Sequence, residues 1–273
     1  VEAVEGCYPV RIRDDRGVTV TVGAEPQRIV SLFPSHTETL FALGMGPRVV
    51  GTDDFSANVP GAAGLPKLGG LYDTRLELLL SLHPDLALAS EASSAAGPIE
   101  RAGVAVWAGS AHRFDDVFRL FDAIGRIVCR PAEADALRRR VLDDLAAVAR
   151  RVSDRPRVRV YYELDASLYT VGPRSFIGEM ITRAGGTNIV PPDVGDFPKM
   201  SPEAVVAADP EVILGVSPEE VRRRRGWETI AAVRLGRVVK LSPAEAELVA
   251  RSGPRIAEGL AVLARYIHPE VPQ

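Results

Sequence analysis

The chain has 273 residues, 46% hydrophobic and 25% charged, with a formal net charge of −3 and a pI near 5.9. That composition excludes fibrous, collagen-like and disordered classes, and it supplies enough chain for two domains with separate cores. The faintly acidic balance argues against a nucleic-acid partner, and no apolar run reaches the roughly twenty residues that span a bilayer.

Taken in order, residues 8–27 read as two short strands around a turn at Asp14, Asp15 and Gly17, because β-branched residues alternate on either side of a turn signal. RIVSLFP (28–34) is a buried strand, and SHTETLFALG (35–44) a short helix opened by a Ser35/Glu38 capping box and stopped by Gly44. VVGTDD (49–54) starts another strand, LPKLGGLYD (65–73) is a Gly-rich loop, and Thr74 with Glu77 forms a second capping box. LELLLSLHPDLALAS (76–90) is a helix, a Pro stop and a strand, and VAVWAG (104–109) completes a first sheet. Strands that alternate with helices imply parallel pairing.

PAEADALRRRVLDDLAAVARRVSD (131–154) puts Leu137, Val141, Leu145, Val148 and Val152 on one face of a helix about 35 Å long, a rigid strut. Beyond it the plan repeats: strands at 157–164, 212–216 and 238–242, and helices at 175–186 and 255–267. Three Ser-Pro starts, at Ser201, Ser217 and Ser242, place Ser at the N-cap and Pro in the first turn. PEAVVAADPEVILGV (202–216) copies residues 76–90: Glu203 precedes Pro210 and Glu211 as Glu77 precedes Pro84 and Asp85. Two similar α/β lobes follow, at 1–130 and 155–273, joined by the helix 131–154. A protein of that form works in the crevice between its lobes.

Cys7 and Cys129 lie in no metal or redox spacing; each reads as an isolated thiol, with one disulfide as the alternative in an exported protein. VRRRRGW (221–227) reads as a solvated basic face. An enzyme is disfavoured. Ser35 and His36 are adjacent and do not face each other on a helix, and GMGPRVVG (44–51) lacks the dinucleotide-binding spacing. His36, His83, His112 and His268 form no metal-ligand motif.

In this order, RIRDDRGVTVTV, PQRIVSLFPSHTETLFALG, LPKLGG, LELLLSLHPDLALAS, YTVGPRSFIGEMITRAGGTNI, MSPEAVVAADPEVIL and SGPRIAEGLAVL resemble the substrate-binding proteins of ABC importers for cobalamin, haem and iron–siderophores. The resemblance covers nearly the whole chain. It implies an α/β fold of two Rossmann-like lobes with mainly parallel sheets joined by a single rigid backbone helix, and modest lobe movement. It also implies an extracytoplasmic monomer without a resident cofactor, which delivers a small-molecule ligand to a permease dimer and its ATPase subunits. The leader or lipid anchor of such a protein would precede Val1.

The cobalamin-binding members are the nearest pattern. There, Glu77 and Glu203 match acids that pair with permease arginines, although an acid in a first helical turn also complements the helix dipole. Ligands of α/β lobes sit beyond the carboxyl ends of parallel strands, which selects Phe33, Pro34, Ser35 and His36 in one lobe and Tyr169, Arg174 and Ser175 in the other. The resemblance adds Phe55, Leu71, Tyr72, Phe197, Glu247 and Arg251 as pocket walls. Leu71, Ser90 and Phe197 stand where that pattern has tryptophan, and Trp107 and Trp227 do not align with the missing rings. A corrinoid is the expected ligand. Haem is the rival and would take its axial donor from Tyr72 or His36. A ferric siderophore would use Arg75, Arg174 and Arg251. Outside transport, a ligand sensor or corrinoid chaperone is the competing class.

Overall fold

A computed structural model describes residues 6–270. These divide into two compact units. The first runs up to Ala111 and resumes over Asp115–Arg140; the second takes His112–Phe114 and continues from Val141.

The first unit opens with a hairpin of β1 (Val10–Arg13) and β2 (Thr19–Val22). The Asp14 carboxylate closes it by accepting from the backbone of Arg16 and Val18, both at 3.0 Å, and Gly17 turns the chain at φ +81°. A parallel sheet follows, built from β3 (Ile29–Ser31), β4 (Val49–Thr52), β5 (Leu86–Ala89) and β6 (Ala105–Ala108) in the order β4-β3-β5-β6. The helices are α1 (Pro34–Ala42), α2 (Leu76–Ser81), α3 (Ala96–Arg101) and α4 (Asp116–Ile127). Val30, Leu32, Ala87, Ala89, Val106 and Ala108 alternate onto one sheet face and pack on Leu79 and Ile99. Ile29, Leu86, Leu88 and Trp107 alternate onto the other face and are equally buried. A sheet covered on both sides explains why its strands read as unbroken apolar runs.

Helix α5 (Pro131–Val152) crosses the division between units at residues 140/141, with all five expected face residues buried. The second unit contains β7 (Val158–Tyr162), α6 (Phe176–Arg183), β8 (Gly186–Asn188), α7 (Pro202–Ala208) and β9 (Val212–Leu214). It ends with α8 (Pro218–Arg222), α9 (Ala231–Arg234), β10 (Val238–Val239), α10 (Pro243–Ala250) and α11 (Ile256–Ile267). Its sheet is parallel in the order β10-β9-β7-β8. Numbered from the first strand of each sheet, both units are wired 2-1-3-4.

The repeat extends to atomic detail. His83 and Asp209, each just before the proline, take left-handed backbone with φ 47° and 43°. The acid after the proline then clips the start of the neighbouring strand: Asp85 accepts from the backbone of Gln27 and Arg28, and Glu211 from that of Arg159. In return Arg28 Nε donates to the Leu82 carbonyl, and Arg159 Nε to the Asp209 carbonyl. The clip constrains this acid, which accounts for its recurrence.

Several expectations are corrected. Helix α1 starts one residue early with Phe33 at the N-cap, because Pro34 fits the first turn, so Ser35 and Glu38 form no capping box. Helix α2 likewise has Arg75 at its N-cap and no side-chain cap; Thr74 donates instead to the Gly70 carbonyl. Cys7 and Cys129 are joined in a disulfide inside the first unit and are not separate thiols. Within the basic run, Arg224 is no solvated cation: it pairs bidentately with Glu163 and stacks over Trp227. The Ser-Pro starts cap α7, α8 and α10, with full capping boxes at Ser217/Glu220 and Ser242/Glu245.

Candidate functional site

In the first unit, the carboxyl ends of β3 and β4 lead into α1 and into the loop that carries Phe55, Leu71 and Tyr72. A buried hydroxyl network aims that loop. Thr37 Oγ1 lies 2.8 Å from Ser31 and 2.9 Å from Ser56, and Ser56 donates to Asp53 Oδ1. Asp53 Oδ2 in turn accepts from the Phe55 amide at 3.0 Å. Phe55 leans on Gly70, where a Cβ would sit 3.5 Å from its ring and 2.8 Å from the Asp73 carboxylate. Gly69, at φ +92°, lets the chain turn back so that Ser94 can hold the Leu71 and Tyr72 carbonyls. Phe55 and Tyr72 stay 68% and 76% exposed, while Leu71 is half-buried.

The second unit builds its counterpart with backbone. Thr170 N–H donates to the Pro198 carbonyl, Gly172 N–H to that of Asp196, and Met200 N–H to that of Leu168, which zips the Tyr169 loop to the Phe197 loop. Only glycine fits at 172, since a Cβ there would collide with the Gly195 carbonyl. Tyr169 is 44% and Phe197 62% exposed, and Lys199 Nζ stands 6.0 Å from the Tyr169 ring. Arg113 holds the base of this wall through the Arg174 carbonyl and Asp196. The Arg174 side chain is exposed and makes no ion pair or hydrogen bond among the described residues.

Other expected site residues are placed differently. His36 is 0% exposed, with its ring 5.4 Å from Phe33 and 5.6 Å from Trp107. Burial lowers its pKa to about 4, against the opposing pull of the Gly109 backbone and of Glu91 and Asp15. It is a neutral core histidine with no face open to a ligand. Ser35 is buried beside it, and Pro34 is half-buried. Ser175 caps α6. Glu247 on α10 and Arg251 at its C-cap pair with each other at 3.4 Å, and Arg75 pairs with Asp54 at 3.6 Å. Ser90 is buried against Ser110. Trp107 and Trp227 are core residues.

Glu77 and Glu203 occupy the first turns of α2 and α7, both exposed, and neither side chain has a partner among the described residues. Lys199, Leu164 and the Asp53–Ser56–Thr37 network went unread in the sequence. Leu164, 42% exposed, lies two residues beyond the end of β7, so the carboxyl-end rule was the signal that could have found it. No cluster of three or more His, Cys, Asp or Glu side chains suited to a metal occurs among the described residues.

Comparison with known proteins agrees with this architecture. An uncharacterized ABC transporter substrate-binding lipoprotein of Bacillus subtilis, YvrC, is 34% identical over 96% of this chain and 87% of its own length. A cobalamin-binding protein of Halobacterium salinarum is also 34% identical, over 96% of this chain and 74% of its own. Among solved structures, the periplasmic heme-binding protein RhuT of Roseiflexus superposes with a TM-score of 0.77 at 27% identity, covering 90% of this chain and 99% of that one. The family described as periplasmic binding protein matches residues 29–245, and the chain belongs to that family.

Proposed function

We propose that the chain is the extracytoplasmic substrate-binding component of an ABC importer and that its ligand is a corrinoid, held by the aromatic-bearing loops at the carboxyl ends of the two sheets. One observation carries this reading. Every exposed large aromatic among the described residues, Phe55, Tyr72, Tyr169 and Phe197, lies on those loops. Exposed rings add nothing to a core, whereas flat walls suit a macrocycle because they supply contact area at little entropic cost. Leu71, Arg174, Glu247 and Arg251 complete the proposed lining. The cobalamin-binding relative and the lipoprotein relative support the ligand class and the location, and the disulfide suits an oxidising compartment.

Glu77 and Glu203 are the proposed docking contacts for arginines of a permease dimer coupled to ATPase subunits. With no capping bond and no partner among the described residues, their carboxylates can steer an encounter. Capture involves no bond making. The ligand is bound, presented and released.

The test is an absorbance titration of the purified protein with cobalamin, cobinamide and haemin. Saturable one-to-one corrinoid binding is expected, and its absence refutes the corrinoid reading. A haem reading is the second possibility, favoured by the exposed Tyr72 phenol and the heme-binding structural relative. It requires a shifted Soret band that Tyr72→Phe removes; burial takes His36 out of that role.

A further inference from the structure

We infer that the second unit carries a separate small-molecule site, a cavity of about 310 Å³ lined by α5, α10 and α11, which takes an amphiphile with an anionic head such as a medium-chain carboxylate. Its volume falls at the lower end of the range of small-molecule pockets, about 300–1,000 Å³. Val148, Val152, Leu248, Val262 and Ala264 supply apolar walls, where affinity grows with the apolar area taken out of water.

The polar groups around these walls select the head. Glu258 is satisfied by a bidentate pair with Arg255 at 2.9 and 2.6 Å. Arg265 is engaged by Glu245 and by the Tyr266 hydroxyl. His268 is buried, with Nε2 3.4 Å from the Gly185 carbonyl and Nδ1 3.4 Å from Glu270. Arg151 alone differs: it lines the cavity, is exposed, and has no ion pair or hydrogen bond among the described residues. One uncommitted guanidinium beside an apolar cavity complements a carboxylate head on an apolar tail, and it opposes an ammonium head. All of these residues belong to the second unit and none lies on the proposed corrinoid loops.

The experiment titrates the full chain, purified without detergent, with octanoate and octylamine by calorimetry, and follows the methyl signals of Val148, Val152, Leu248 and Val262 by NMR. Expected are saturable one-to-one octanoate binding, methyl shifts confined to those four residues, and octylamine at least tenfold weaker. Arg151→Glu should lower octanoate affinity at least tenfold, and Ala261→Trp, which fills the cavity, should abolish binding. Should the tryptophan variant fail to fold, the surface substitution at Arg151 decides alone. Equal binding of octylamine, indifference to Arg151→Glu, shifts elsewhere, or self-association that octanoate disperses would each overturn the assignment, the last by making a second copy the occupant. Cobalamin titration of Arg151→Glu should match the parent protein, so failure here and failure of the corrinoid reading are separable.

Discussion

Reducing the Cys7–Cys129 bond, or replacing both cysteines by serine, should destabilise the first unit. The bond joins residues 122 apart in sequence, so opening it restores the conformational freedom of a very long loop. On the chain-entropy relation the loss is about 5 kcal/mol, at the upper end of the roughly 2–5 kcal/mol that native disulfides contribute. With a urea m-value of roughly 2 kcal/mol/M for a unit of this size, the midpoint should fall by about 2.5 M. The two tryptophans make the assay selective, since each unit buries one: Trp107 in the first, Trp227 in the second. Trp227→Phe leaves Trp107 to report the first unit, and Trp107→Phe leaves Trp227 to report the second. Oxidised and reduced protein are melted in urea with each reporter. The Trp107 transition should move by far more than 0.5 M on reduction. An unchanged Trp107 midpoint, or two titratable thiols in the untreated protein, would refute the reasoning.

Reversing both exposed acids, Glu77→Lys with Glu203→Lys, should leave corrinoid affinity intact and abolish uptake in reconstituted vesicles; loss of affinity would end the proposed division of labour. Burial depresses the folded pKa of His36 to about 4 from an unfolded value near 6.5, so the unfolded chain binds the extra proton first as pH falls. Stability from this group is therefore full above pH 6.5 and lost progressively down to pH 4, by about 3 kcal/mol, and urea melts of His36→Gln should show a correspondingly flatter pH dependence than the parent. Glu163→Gln leaves the Arg224 guanidinium without its carboxylate and should cost about 3–5 kcal/mol, read from Trp227 fluorescence. A loss under 1 kcal/mol would mean that water replaces the partner.

The α/β class, the parallel sheets and the internal repeat were legible because they rest on local signals: buried apolar strands, Ser-Pro helix starts and the Pro-acid stop. The errors lie where a local signal competed with a tertiary one. Ser35 and Glu38 have capping-box spacing, but Pro34 claims the first turn and both side chains are buried. Arg224 lies in a run of four arginines, and only the fold brings Glu163 and the Trp227 ring to it. The disulfide closes over 122 residues, a distance that no spacing rule reads. The site divides the same way. The strand-end rule pointed to Tyr169 and Arg174, the family resemblance to Phe55, Tyr72 and Phe197, but which side chains those loops expose depends on packing. His36 and Tyr72 were equal candidates in sequence and now differ by the whole range from core to solvent.

The two units share their 2-1-3-4 wiring and the acid clip at the amino ends of their strands, and they diverge at the carboxyl ends. Position 32 in the first unit is an apolar core leucine; its counterpart in the repeat, Glu163, is a buried acid that draws Arg224 over Trp227. The hydroxyl network behind Phe55 has a backbone ladder as its counterpart behind Tyr169 and Phe197. The first unit's loops are carried on a side-chain network and present Phe55 and Tyr72, while those of the second are carried on backbone and add Lys199 and Arg174 to their rings. For the proposed corrinoid ligand, amide side chains at the edge of the ring would suit these cations, because amide carbonyls accept from cations without bringing a charge of their own to be desolvated.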